Sequence, residues 1–108
     1  MAKVMVIDDD EDFTNLYKTT LRMSGFDTTA VNQSTAAAEM AYLVRPDIFV
    51  IDLMMPDISG LEVLRYMRRE PNYKHIPVIV VSAKSMPADI KDGMDAGASA
   101  YLTKPVGY

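Results

Sequence analysis

The sequence predicts an α/β fold, a doubly wound parallel sheet of five strands with helices on both faces. Three observations carry this. Short apolar runs alternate five times with segments whose apolar residues recur at helical spacing. The central runs are continuously apolar, as strands buried on both faces are. Finally, polar residues able to do chemistry follow the runs at once, at Asp8, Asp52, Ser82 and Lys104. Right-handed crossovers between parallel strands put all those ends on one rim, where ligands of open parallel sheets collect.

The 108 residues, 49% of them apolar, suffice for one core, so a single domain spanning 1–108 is expected. A net charge of −4, with Arg68-Arg69 the one basic pair and set among acids, argues against a nucleic-acid footprint. Cysteine is absent, so there is no disulfide framework or thiolate site. No apolar run approaches the roughly twenty residues of a membrane span, and the N-terminus lacks a secretory h-region. A cytoplasmic location and no membrane partner are therefore expected. The nine methionines fall mostly at apolar positions and read as core filling.

The first strand, Lys3 to Ile7, runs into Asp8-Asp9-Asp10-Glu11-Asp12. Five acids at a strand end are electrostatically costly unless something positive is bound there. Asp10 serves as a helix N-cap, and Glu11 and Asp12 suit a first turn through the helix dipole. The helix shows a face of Phe13, Leu16, Tyr17, Thr20 and Leu21, and Gly25 ends it. Capping leaves Asp8 and Asp9 unexplained.

Phe26 to Val31 reads as the second strand. Ser34 is expected to cap a helix with Ala37, Met40, Ala41 and Val44 inward, stopped before Pro46 because Arg45 is disfavoured from helical angles. The chain is organised around Asp47 to Gly60, where a buried strand delivers Asp52 into a loop shaped by Pro56 and Gly60. A third helix turns Leu61, Leu64 and Met67 inward, and Glu70 to His75 is a polar loop in which His75 reads as solvated. Ile76 to Val81 makes the fourth strand, ending in Ser82. Pro87 opens a fourth helix with Ile90 and Met94 inward, and Gly97 closes it. Ala100 to Thr103 is the fifth strand, followed by Lys104-Pro105.

On the rim, Asp8, Asp9 and Asp52 would raise one another's pKa unless a hard cation held them. Mg²⁺ fits best, because it prefers oxygen and is commonly held by one or two carboxylates plus a phosphate. A hydroxyl at Ser82 and an ammonium at Lys104 supply a donor and a point charge for a phosphoryl group. Asp52 is then the nucleophile that forms an aspartyl phosphate.

At these residues the chain resembles the receiver domains of two-component response regulators. The motifs are Ile7-Asp8-Asp9, Asp52-Leu53-Met54-Met55-Pro56 with Gly60, Val81-Ser82-Ala83, and Asp95-Ala96-Gly97-Ala98 running to Tyr101-Leu102-Thr103-Lys104-Pro105. The resemblance implies that Asp52 accepts phosphate from a sensor histidine kinase or phosphotransfer protein. It implies that Asp9 and the Met54 carbonyl bind Mg²⁺ directly, Asp8 through water, and that Lys104 contacts the phosphoryl oxygens. Ser82 would swing toward the phosphate and Tyr101 turn inward behind it, a switch read by an output partner. With the family come the flavodoxin-like strand order 2-1-3-4-5, a cis Lys104-Pro105 bond, and a signalling role in which the only catalysis is of the domain's own phosphorylation and dephosphorylation.

Two departures accompany the resemblance. Val106 stands where the family often has Phe, and the sequence ends at Tyr108, where a fifth helix is expected. On that basis the apolar residues of the first and fifth strands should meet water on one face, favouring self-association. Rival classes fit less well. A haloacid-dehalogenase-type phosphatase needs an acid where Met54 stands, and Asp8 to Asp10 would repel the phosphate of a flavodoxin-type cofactor. A degenerate receiver acting only as an interaction module would be expected to lose some of the five rim residues.

Overall fold

The computed structural model describes residues 2–104. In chain order it comprises β1 (Lys3–Ile7), α1 (Glu11–Met23), β2 (Asp27–Val31), a 3₁₀ turn (Ser34–Ala36), α2 (Ala37–Val44), β3 (Ile48–Ile51), α3 (Gly60–Arg69), β4 (Val78–Ser82), α4 (Pro87–Asp95) and β5 (Ala100–Thr103). The strands form one parallel sheet in the order β2-β1-β3-β4-β5. The register pairs Ile7 with both Val31 and Ile51, and Ser82 with Thr103. One residue further on, Asp8 N donates to Val31 O, Asp52 N to Ile7 O and Lys104 N to Ser82 O, so the ladder carries these residues onto a common rim.

The helix ends follow local chemistry. Asp10 caps α1 by accepting from Phe13 N at 3.2 Å, and Gly25 takes φ 93° just beyond the helix. Ser59 caps α3, while α4 opens with Pro87 in its first turn. Arg45 ends α2 at φ 54°, in the left-handed region, and its N–H still reaches Ala41 O at 2.8 Å. Pro46 behind it disfavours the right-handed alternative.

Two layers of core lie on the sheet. On one face Met5, Ile7, Phe49, Ile51, Val78 and Val80 pack with Ala37 and Ala41 of α2 and Val63, Leu64 and Met67 of α3. On the other, Val4, Val6, Val50 and Val81 pack with Phe13, Tyr17 and Leu21 of α1. The alternation along each strand is the period of two that a sheet covered on both sides demands.

Several expectations need correction. Ser34 does not cap α2: the 3₁₀ turn intervenes, and Ser34 turns to the loop after β3. Leu16 and Met94 point outward at 46% and 44% exposed, and the buried residue of α4 is Gly93. The fourth strand starts at Val78 because Pro77 has no N–H to give to the ladder. Val4 and Val6 of β1, at 3% and 1% exposed, do not meet water, because α1 covers them. Leu102 of β5 does, beside a hollow of about 270 Å³ lined in part by Tyr17, Leu21, Ile79 and Val81. The Lys104-Pro105 bond and Val106 lie outside the described residues.

Candidate functional site

Four strand ends assemble the site. Asp8 and Asp52 are buried at 1% and 6% exposed, and Asp9 stands beside them on the surface. One carboxylate oxygen from each of the three lies within 4.8 Å of the others. From the far side of β4, Lys104 Nζ reaches in, 2.9 Å from Asp8 Oδ2 and 3.0 Å from Asp52 Oδ2. Each buried acid gives its other oxygen to a backbone N–H: Asp8 Oδ1 accepts from Asp10 N at 3.0 Å, and Asp52 Oδ1 from Met54 N at 3.1 Å. Both carboxylates are thus fixed in orientation as well as position.

Burial pushes the Asp8 carboxyl above its usual value, and the Asp52 carboxylate adds to this; the Lys104 bond and the Asp10 N–H oppose it. Burial alone would depress Lys104, but its bonds to Asp8 and Asp52 outweigh that and raise it. Lys104 is therefore held charged, and the acid pocket is held tight around it.

Ser82 is fully buried at the end of β4, and its Oγ accepts from Lys84 N at 3.3 Å. Tyr101 Oη donates to Lys84 O at 2.6 Å. The two hydroxyls therefore hold opposite sides of one residue in the β4–α4 loop. The Tyr101 ring lies on α4 at Gly93, where an added Cβ would stand 2.9 Å from two ring carbons. Gly60 plays a similar part at the start of α3: a Cβ there would come 1.8 Å from the Asp52 carbonyl oxygen. Only glycine lets the helix start this close to the Asp52 strand.

All the residues expected on the rim lie along it, though not all in contact. The Ser82 hydroxyl bonds neither the Asp52 nor the Lys104 side chain, and Met54 is a 52% exposed side chain whose N–H serves Asp52. His75 lies at the other end of the strands, in a cleft of about 420 Å³ with Tyr42, Arg45 and Tyr73. That cleft is remote from the acids, since Pro46 and Pro77 on its wall precede β3 and β4.

Some site residues were not anticipated from sequence. The Phe13 ring lies 3.9 Å from Lys104 Nζ, a cation–π contact on a residue that helical spacing assigns only to the core. Asn32 Nδ2 donates to the Asp8 carbonyl and to Thr14 Oγ1, both at 2.9 Å. Its position just past the end of β2 was the available signal.

Comparison with known proteins agrees with this geometry. The response regulator receiver domain family matches residues 4–108. The polar-differentiation response regulator DivK of Brucella anthropi is 33% identical over 103 residues, 95% of this chain and 84% of that protein. Among solved structures, the receiver domain of Francisella response regulator 1452 superposes with TM-score 0.91 at 33% identity, covering 99% of this chain and 87% of the other. The chemotaxis protein CheY4 of Vibrio cholerae gives TM-score 0.93 at 27% identity, covering 99% and 89%. With a family match over residues 4–108 and a relative 33% identical along nearly the whole chain, the chain belongs to the response regulator receiver domain family.

Proposed function

We propose that this chain receives a phosphoryl group on Asp52 from a sensor histidine kinase or phosphotransfer protein and passes the signal to an output partner through Ser82 and Tyr101. The observation that carries the reading is Lys104 bridging Asp8 and Asp52, with Asp9 in reach of both acids. In this reading an Asp52 carboxylate oxygen attacks the phosphorus of a phosphohistidine, the P–N bond breaks, and its electron pair returns to the imidazole nitrogen. Lys104, already beside Asp52 Oδ2, takes the phosphoryl oxygens as its new partners.

The donor set fits Mg²⁺: three carboxylates, all oxygen, one of them exposed to supply an entry path. Asp9, Asp52 and the Met54 carbonyl would hold the ion directly and Asp8 through water. When bound, Mg²⁺ supplies positive charge that offsets charge on the phosphoryl oxygens. Switching follows from the shared hold on Lys84. If Ser82 Oγ leaves the Lys84 N–H for a phosphoryl oxygen, the loop that Tyr101 grips by the Lys84 carbonyl must adjust with it. The readable surface would then be α4 and β5.

The test is transfer from a histidine-phosphorylated phosphotransfer domain, with and without a chelator. Label is expected on this chain only when Mg²⁺ is present, and it should be lost in base. A chain that takes no label from any phosphodonor would instead be a receiver fold working only as an interaction module.

A further inference from the structure

We infer that Ser34 and Asp57 form a latch that positions the loop after β3, and through that loop sets the divalent-cation affinity of the rim. The inference rests on the reading of the rim as a Mg²⁺ and phosphoryl site. Ser34 is buried, at 5% exposed, although it sits in a connection and caps nothing. Its hydroxyl donates to Asp57 Oδ1 and accepts from Ile58 N at 3.1 Å. The 3₁₀ turn that begins at Ser34 gets no side-chain bond from its own N-cap, Gln33. Asp57 answers from across the gap: its carboxyl is held below the usual range by the Ser34 hydroxyl first, and further by backbone N–H groups including those of Ile58 and Thr35.

The loop needs such a hold. At its start, Met54 N is bound to Asp52 Oδ1, and at its end Gly60 N donates to Leu53 O at 3.1 Å. Between them Met55 is buried, while Asp57 and Ile58 are exposed. Ser34 Oγ reaches this stretch twice, at Asp57 and at Ile58, and the Thr35 N–H faces the same Asp57 carboxylate, so the hold from across the gap comes from the start of the 3₁₀ turn. Freeing that turn leaves Met54, whose carbonyl is a proposed ligand, hinged on one N–H. A group that orients a ligand from outside is a common determinant of metal affinity.

The experiment is Mg²⁺ titration by calorimetry on the full chain, with urea unfolding on the same samples. Ser34→Ala and Asp57→Ala are each expected to weaken Mg²⁺ binding about three- to tenfold, short of the ~10–100-fold for partners that touch a ligand directly. The double variant should weaken binding by less than the product of the two single effects, because the two side chains share one latch. Asp57→Asn keeps an oxygen for the Ser34 hydroxyl while losing the charge, and is expected to bind Mg²⁺ within about twofold of wild type, so that lost charge and lost latch separate. A merely structural role would lower the urea midpoint and leave the Mg²⁺ affinity unchanged, which would overturn the inference. Should Ser34→Ala fail to fold, the exposed Asp57 variants decide alone. A wild-type chain indifferent to Mg²⁺ would bring down the reading of the rim itself, whereas wild-type binding with unaltered variants brings down only the latch.

Discussion

Lys104 shows how one cation organises two buried acids. Its side chain is 19% exposed, against 2% and 7% for the Asp8 and Asp52 side chains it joins. Removing the ammonium leaves two buried carboxylates facing each other, so Lys104→Met should lower stability at neutral pH. We expect about 1–3 kcal/mol by urea unfolding, below the roughly 3–5 kcal/mol for a fully buried pair, because water reaches the Lys104 end. The pH dependence has a definite sign. Lys104 titrates above its ordinary value in the folded chain, so its contribution is complete below that ordinary value of 10.5 and lost as pH rises through the folded pKa. Asp8 is also raised, and for a carboxylate this means the folded state holds the proton longer. Its cost is absent below the unfolded pKa and grows as pH rises to the folded one. Asp8→Asn should therefore raise the urea midpoint at pH 7, with a gain in unfolding free energy on the order of 1 kcal/mol, and flatten the fall above the unfolded carboxyl's pKa. A lower midpoint would show that the Asp8 bond to Lys104 outweighs its burial. Of this detail, the sequence displayed the acids and the lysine at strand ends. It could not display Phe13 against Lys104, because a contact across the end of a sheet has no spacing in the chain.

Among the elements, the β3–loop–α3 unit carries the tightest constraint. Gly60 begins α3 against the Asp52 carbonyl, and any side chain there must push the helix from the strand. Gly60→Ala should cost about 1–3 kcal/mol or more through overpacking, although alanine is the better helix former. A melting temperature equal to or above wild type would contradict it. The elements themselves were legible, since apolar runs gave most of the strands, and Asp10, Gly25, Pro87 and Gly97 marked the ends of α1 and α4. What misled was burial on a helix that covers a sheet only in part. Leu16 and Met94 satisfy the helical spacing of an apolar face, yet both are exposed, and Gly93 rather than Met94 meets the sheet because the Tyr101 ring occupies that space. Ser34 misled for the opposite reason: its oxygen found a partner 23 residues away in Asp57 instead of the local N–H that capping rules consider.

For the whole molecule, order 2-1-3-4-5 puts the acids and the lysine on one rim, and that much followed from the alternation of strands and helices plus the family resemblance. Two consequences belong at this scale. A site of crowded acids is relieved by a divalent ion, so Mg²⁺ at a hundred times its dissociation constant should stabilise the fold by about 2.7 kcal/mol, and Asp9→Ala should abolish the gain. Beside α1, the hollow next to Leu102 leaves apolar surface open to a second copy. Sedimentation at rising concentration should show mass above the monomer, and Leu102→Glu should restore the monomer; a wild type that stays monomeric throughout would exclude association by this face. The central claim is that Asp52 is the phosphoacceptor, and intact mass after incubation with a small-molecule phosphodonor and Mg²⁺ tests it most directly. The account predicts one added phosphoryl group on the wild type and none on Asp52→Asn, whereas an Asp52→Asn chain that gained the same base-labile mass at the same rate would contradict it.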